Sequence, residues 1–538
     1  LFILGCDICA KRIAKHMNLK FLVFVGLLLS GTVYGQDIAK GIVYEDINLN
    51  GKRDAKEKGL AQVAVSNGVE VVLTDESGRY TLPLRKNSVF FVIKPNGYQF
   101  PLDKNNMPQF YYIHKPEGSP ELKYEGSKPT GKLPKSVDFP LLKNNNEQEN
   151  FSALVLGDPQ AYNMDEIDYF YRGIVQDIAD TEKFSFGISL GDLVGDNLTL
   201  HPSYKETVGK IGLPWFNVMG NHDMNYDVQE DVFSDETYEK NFGPNTFSFN
   251  YGNAHFIILD NIIYPNPRTG KGYLGGFRKD QLDFVENDLK FVPKDKLIVL
   301  AFHIPLLHKN GDVFRAEDRQ RLFDLLAEYP HTLSLSAHTH FQQQNFYTKD
   351  DGWKQDKPHH EYNVGTTSGD WYSGLKNKQN VPASTMRDGT PKGYAILHIK
   401  DNTYAFDYKV AGEPNDYQLK IIYPAILKEK EVKRYTLYTN FFVGKAGDVV
   451  EYSLDGEKWM KMQHSTEADP SYVYEVLKFD NTDKLVEGRR PSNAVLSSHL
   501  WKAKLPAKLD AGNYSIRVRA TDMFGKTHYQ TRDLQVIE

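Results

Sequence analysis

The sequence predicts an α/β core set between two all-β sandwich modules, and three observations carry that prediction. Between residue 151 and about residue 410, apolar strand-like runs alternate with amphipathic helical stretches, the pattern of layered α/β domains. On either side, short period-two runs recur between turn residues, as in β-sandwiches. The chain has 538 residues, 40% apolar and 25% charged, which is enough for several globular domains and unlike a disordered chain. Its net charge of −6 gives no electrostatic reason to expect a polyanion partner such as long nucleic acid.

Residues 1–36 read as an address. From Met17 a short basic start leads into an apolar run, Phe21 to Leu29, and then Val33-Tyr34-Gly35 before Gln36. The run is too short to span a bilayer, so the expected location is periplasmic or extracellular, with Met17 as the expected true start. Removing residues 1–35 takes away four basic groups and one acidic group, leaving −9, and it takes away both cysteines, Cys6 and Cys9. A mature chain without thiols has no disulfides. No lipobox cysteine follows the h-region, which speaks against a lipid anchor.

The N-terminal module, residues 37–143, shows runs at Gly41 to Tyr44, Val69 to Leu73 and Val89 to Ile93, with turn signals at Glu76-Ser77-Gly78 and Lys94-Pro95-Asn96-Gly97. Residues 144–150 form a polar linker. The core, 151–410, opens with a strand from Phe151 to Leu156 and a helical face of Ile167, Phe170, Tyr171, Ile174, Val175 and Ile178. Strands are expected at Phe184 to Leu190, Trp215 to Met219, Phe256 to Leu259, Leu297 to Phe302 and Thr332 to Ser336, and helices at Lys279 to Leu289 and Glu317 to Ala327. From 411 to 538 β signals return at Tyr435 to Val443 and Asn513 to Ala520, with a hairpin turn at Ser453-Leu454-Asp455-Gly456.

The residues just after the core strands carry chemistry. They read Gly157-Asp158-Pro159-Gln160, Gly191-Asp192-Leu193-Val194-Gly195-Asp196, Gly220-Asn221-His222-Asp223, Phe302-His303 and Ala337-His338-Thr339-His340. Ligands in α/β folds gather at the carboxyl ends of strands, so groups distant in sequence can converge. Carboxylate, amide and imidazole donors together suit Zn, Fe or Mn. A carboxylate can bridge two cations, and Asp192 lies on the central loop; paired metals would polarise a phosphoryl oxygen and acidify a water between them. His222 is the candidate proton donor to the leaving oxygen, with Asp223 the candidate to orient it and Asp196 a loop-stabilising acid. His201, His255, His308, His359 and His360 fit no motif and are expected to be structural.

In this order the motifs resemble those of the calcineurin-like metallophosphoesterases: Asp-x-His, Gly-Asp-x-x-x-Asp, Gly-Asn-His-Asp, a lone His, and Gly-His-x-His, over roughly residues 151 to 400. The resemblance implies a two-sheet β-sandwich flanked by helices. It implies one transition metal held by Asp158, Gln160, Asp192 and His340, and a second held by Asp192, Asn221, His303 and His338. Gln160 stands where the family usually has His, and Ala337 where it has Gly. An amide oxygen is a harder donor than imidazole, which favours Mn or Fe over Zn at the first site or leaves that site weak. The flanking modules resemble those of secreted bacterial phosphoesterases.

The expected function is hydrolysis of a phosphate mono- or diester by attack of metal-bound hydroxide on a small phosphorylated molecule. The alternatives are a surface binding protein with a decayed core and a nuclease, the latter disfavoured by the net acidity. Candidate substrate contacts are Arg268 and Lys271 on one long segment and Trp371 and Tyr372 on another. Asp46, Asn48, Asn50, Asp54 and Glu57 match a twelve-residue calcium loop around Gly51, similar to those of bacterial surface repeats; the alternative is a turn held by its own side chains.

Overall fold

The computed structural model describes residues 37–306 and 314–538, so the expected signal region and His308 lie outside the described residues. The alternation read from the sequence resolves into two stacked sheets. One has the strand order β3-β2-β1-β10-β11, with β1 Phe151–Leu156, β2 Phe186–Leu190, β3 Trp215–Val218, β10 Gly393–Lys400 and β11 Thr403–Val410. The other runs β4-β5-β6-β7-β9-β8, with β4 Phe247–Tyr251, β5 Ala254–Ile258, β6 Leu297–Ala301, β7 Thr332–Ser336, β8 Gln343–Tyr347 and β9 His359–Asn363. β1, β2 and β3 pair in parallel, as do β5, β6, β7 and β9. Parallel strands are buried on both faces and need continuous apolar runs, which is why LIVLA in β6 is wholly buried. The sheets meet through aromatic rings such as Phe216 on Phe249, stacked with centroids 4.1 Å apart.

Helices cover this sandwich: α1 Met164–Phe170, α2 His201–Gly209, α3 Glu236–Phe242, α4 Lys279–Leu289 and α5 Ala316–Leu325. α1 is capped by the Asn163 side chain, which accepts the Glu166 N–H at 3.0 Å. The expected helical face of Tyr171, Ile174 and Val175 continues not as α-helix but as a wider π turn, Tyr171–Val175.

The N-terminal module is two four-stranded sheets, one built on Ile38–Glu45 and Phe139–Lys143, the other on Ala64–Ser66 and Ser88–Val92. Its loop at 46–57 folds on itself. Asp46 accepts the Gly51 N–H at 2.8 Å, Asp54 accepts the Asn48 and Asn50 amides at 2.6 and 3.0 Å, and Glu57 accepts the Ile47 and Asp54 N–H groups. The polar stretch 144–150 is pinned by Glu147, which pairs with buried Lys94 at 2.8 Å.

The C-terminal module is also a two-sheet sandwich, of four and five strands, but it is not all-β. It carries α6, Pro470–Asp480, started by Asp469 as cap with Pro470 in the first turn. The Asp-Pro pair is a start signal that the reading of β periodicity passed over.

Candidate metal centre

Every parallel strand named above that precedes a motif delivers it from its carboxyl end. β1 leads to Asp158 and Gln160, β2 to Asp192, β3 to Asn221 and His222, β6 to His303, and β7 to His338 and His340. The backbone bends hard at each exit: Asp158, Gln160, Asp192, His338 and His340 all have positive φ, between 29° and 71°. Non-glycine residues in that region cost about 1–3 kcal/mol each and cluster where function requires them. Gly220 has a plain steric reason, since a Cβ there would lie 1.9 Å from the Asp192 nitrogen.

The side chains converge. Asp192, His303 and His338 place one ligand atom each within 4.8 Å of one another. His303 Nδ1 donates to the Leu190 carbonyl at 2.8 Å, which leaves Nε2 as a lone-pair donor. That Nε2 faces Asn221 Oδ1 at 3.1 Å, Asp192 Oδ2 at 3.2 Å and His338 Nδ1 at 3.1 Å. His340 repeats the arrangement: Nδ1 donates to Gly369 O at 2.6 Å and Nε2 faces Asp158 Oδ2 at 3.2 Å. Asp158 Oδ2 and Gln160 Oε1 are buried without a hydrogen-bond partner. Acceptors turned toward one another in a dry interior repel unless a cation lies among them, and imidazoles fixed through their other nitrogen are the usual metal-ligand arrangement. Asp192, His303 and His338, with Asn221 beside them, therefore make a candidate metal site, and Asp158, Gln160 and His340 present further donors next to it. Despite burial, the His303 and His222 imidazoles hold Asp192 below the ordinary carboxylate range.

His222 is half-buried beside this set, and its N–H donates to Asp192 Oδ1 at 2.8 Å. Its ring partner corrects the sequence reading: Nδ1 pairs with Asp196 at 2.7 Å, not with Asp223. Burial opposes its protonation, but Asp192 and then Asp196 push it up to about 9. Asp223 is instead a fully buried brace that accepts the Gly220, Leu193 and Val194 N–H groups and contacts His201 at 3.1 Å. It shapes the two loops without touching the imidazole.

Of the expected substrate contacts, Trp371 lies at the site, its ring stacked on His340 with centroids 4.0 Å apart. Tyr372 is buried, and its hydroxyl donates to Pro159 O at 2.5 Å, so it supports the Asp158–Gln160 turn and is closed to a substrate. Arg268 and Lys271 are exposed on their loop with no described contact to the centre. The sequence reading missed three tyrosines around the opening. Tyr162 lies 3.3 Å from Gln160 Nε2, the Tyr226 hydroxyl donates to Asn221 O at 2.5 Å, and the Tyr273 ring lies 6.1 Å from that of His338. Tyr162 and Tyr226 lie just beyond the Asp158–Gln160 and Asn221–Asp223 motifs but belong to neither, and Tyr273 arrives on a loop remote in sequence. His255, His359 and His360 are buried in hydrogen bonds away from the centre, as expected of structural histidines.

Three family models match the chain in order: the N terminal of calcineurin-like phosphoesterase over residues 47–127, calcineurin-like phosphoesterase over 151–342, and the C terminal of calcineurin-like phosphoesterase over 361–528. The chain belongs to the calcineurin-like phosphoesterases, which are phosphoric ester hydrolases. A probable glycerophosphodiester phosphodiesterase of Arcobacter nitrofigilis is 28% identical over 141 residues, which is 26% of this chain and 49% of the relative. The match thus spans about half the length of that curated relative. Among solved structures, a purple acid phosphatase from yellow lupin seeds aligns over 69% of this chain and 66% of its own, at 13% identity and a TM-score of 0.35. The anchor protein of the Plasmodium inner membrane complex aligns over 49% of this chain and 85% of its own, at 17% identity and a TM-score of 0.30.

Proposed function

We propose that the chain is an exported phosphoesterase that hydrolyses phosphate mono- or diesters at a centre of two transition metals, Mn, Fe or Zn. The observation that supports this reading most is the mutual facing of His303 Nε2, Asn221 Oδ1, Asp192 Oδ2 and His338 Nδ1 at 3.1–3.2 Å. A cation pair bound there would supply Lewis acidity toward a phosphoryl oxygen and lower the pKa of a water. The chain's own residues do the rest. Asp192 is fixed by the His222 N–H, and His303 and His340 are locked in one tautomer by Leu190 O and Gly369 O. His222, held by Asp196, carries a proton at the edge of the centre and can give it to the departing oxygen. Residues 37–143 and 411–538 are accessory modules in this reading. Export rests on the apolar run after Met17; among the described residues no helix is long and apolar enough to cross a membrane.

The test is elemental analysis paired with hydrolysis of mono- and bis-p-nitrophenyl phosphate on one manganese-reconstituted sample. Two metal equivalents in the core with turnover are expected. His222→Asn should lower kcat about 10²–10⁴-fold with metal content intact, whereas Asp192→Asn should lose both metal and turnover. Equal metal loss in the two variants contradicts the assigned roles. One equivalent or none, without turnover, favours a binding protein with a decayed core.

A further inference from the structure

Trp371 is the wall of the centre on which the C-terminal module closes. Behind it, the Gly374 N–H donates to Arg489 O at 2.8 Å, the Ser492 N–H to Asp370 Oδ2 at 2.7 Å, and the Val495 N–H to Arg387 O at 3.0 Å. These bonds bring two guanidinium groups onto the indole, Arg387 at 5.5 Å and Arg489 at 5.9 Å from its centroid, while the ring itself stacks on His340. Arg387 Nη2 donates to Thr339 O at 2.6 Å, between the two candidate ligands His338 and His340, and Arg489 Nη1 donates to Trp371 O at 3.3 Å.

What marks the pair is its missing counter-charge. Among the described residues no carboxylate lies within ion-pairing reach of either guanidinium, and Arg387 Nε is buried with no hydrogen-bond partner. The chain pairs its other arginines nearby: Arg490, the next residue, meets Asp480 at 2.6 Å. Arg387 is half-buried and Arg489 exposed, and the planar fork of a guanidinium is matched to carboxylate and phosphate oxygens. In the proposed reaction the scissile phosphoryl would be met by the cations held at the centre and by His222.

We propose that Arg387 and Arg489 clamp a second anionic group of the substrate, a carboxylate or a second phosphate, on the part of the molecule away from the scissile phosphoryl. The preferred substrates are then phosphoric esters that carry another negative charge, and the C-terminal module contributes to their selection. This inference rests on the phosphoesterase reading of the same centre.

Non-hydrolysable ligands test it on the manganese-reconstituted protein by titration calorimetry, using propylphosphonate, 3-phosphonopropionate and propane-1,3-diyl bisphosphonate. The two ligands that carry a second anionic group should bind about tenfold or more tighter than propylphosphonate, the worth of one charge-assisted hydrogen-bonded contact. The carboxylate and bisphosphonate arms show which second anion is taken. Arg489→Ala, at an exposed position, should remove that preference and leave propylphosphonate affinity unaltered. Arg387→Lys, which keeps the charge but loses the fork, should reduce the preference in part. No preference in the wild type, or equal weakening of all three ligands in Arg489→Ala, overturns the clamp. Turnover of bis-p-nitrophenyl phosphate by the same preparation judges the underlying reading separately. Turnover without the preference overturns the clamp alone, and an Arg489-dependent preference without turnover supports the clamp while overturning the enzymatic reading.

Discussion

Asp196 and Asp223 show how much a single hydrogen bond decides. Both are acids on loops beside His222, yet only Asp196 reaches its Nδ1, at 2.7 Å, while Asp223 is consumed by three backbone N–H groups. An imidazole held by a carboxylate keeps one tautomer and one orientation, and loss of such a partner typically costs 10–100-fold in activity or affinity. Asp196→Asn should therefore lower kcat about 10–100-fold while leaving metal stoichiometry intact, because the side chain is half-exposed and touches no candidate ligand other than through His222. Asp223→Asn should act differently: it disturbs the Gly191 and Gly220 loops together, so metal content and thermal stability fall along with turnover. Elemental analysis and thermal melts of the two variants separate a positioning acid from a structural brace.

At the scale of elements, the strand ends carry the centre and the connections carry what surrounds it. The segment leading into β10 illustrates the cost of such a connection. Lys392 is buried, its Nζ donating to Pro382 O at 2.5 Å, and burial pushes its ammonium down to about 7. An unfolded lysine titrates near ~10.4. Between these values the unfolded chain holds a proton that the native chain has released, so this group's contribution is complete above the unfolded value and is lost as pH falls toward 7. The slope is about 1.4 kcal/mol per pH unit. Lys392→Met removes that slope. Urea unfolding at pH 7, 8 and 9 should show the variant losing ~1.4 kcal/mol per pH unit relative to wild type; parallel lines would show that Lys392 is not neutral in the native state. The position of such a residue could not be read from periodicity. What could be read was the buried strand with its glycine and acid at the exit, because apolar runs and the donors after them are local in sequence. β1, β7 and α4 begin and end at the expected residues. The π turn after α1, the cap of α6, the Asp196–His222 pair and the two arginines depend on contacts between distant segments, and no spacing encodes them.

On the scale of the whole molecule, the N-terminal module and the catalytic sandwich share one core. A single cluster of buried side chains runs from Ala39 to Phe406, and a second joins Met386, Tyr408 and Val410 of the core to the C-terminal module as far as Val536. Rings cross the first junction, Phe91 on Phe284 at 5.5 Å and Phe110 on Phe247 at 4.9 Å. The same junction holds a buried charge cluster in which Lys115 lies between Glu236 and Glu239 of α3, 2.5 Å from each. Removing one partner of a buried ion pair leaves the other charge uncompensated, at a cost of about 3–5 kcal/mol. Lys115→Met leaves two such carboxylates, and burial already holds Glu239 above its ordinary range, so part of the cost is relieved by proton uptake. Because the core is continuous, the destabilisation should fall on both modules together. Scanning calorimetry should show a single transition for residues 39–410 moving down in temperature, with phosphoesterase turnover lost over the same range. The shift should be smaller at pH 5 than at pH 8, since a protonated Glu239 no longer requires the lysine. A variant in which the N-terminal module melts first, with turnover surviving to the wild-type temperature, would show that the two modules are held together more weakly than their shared core implies.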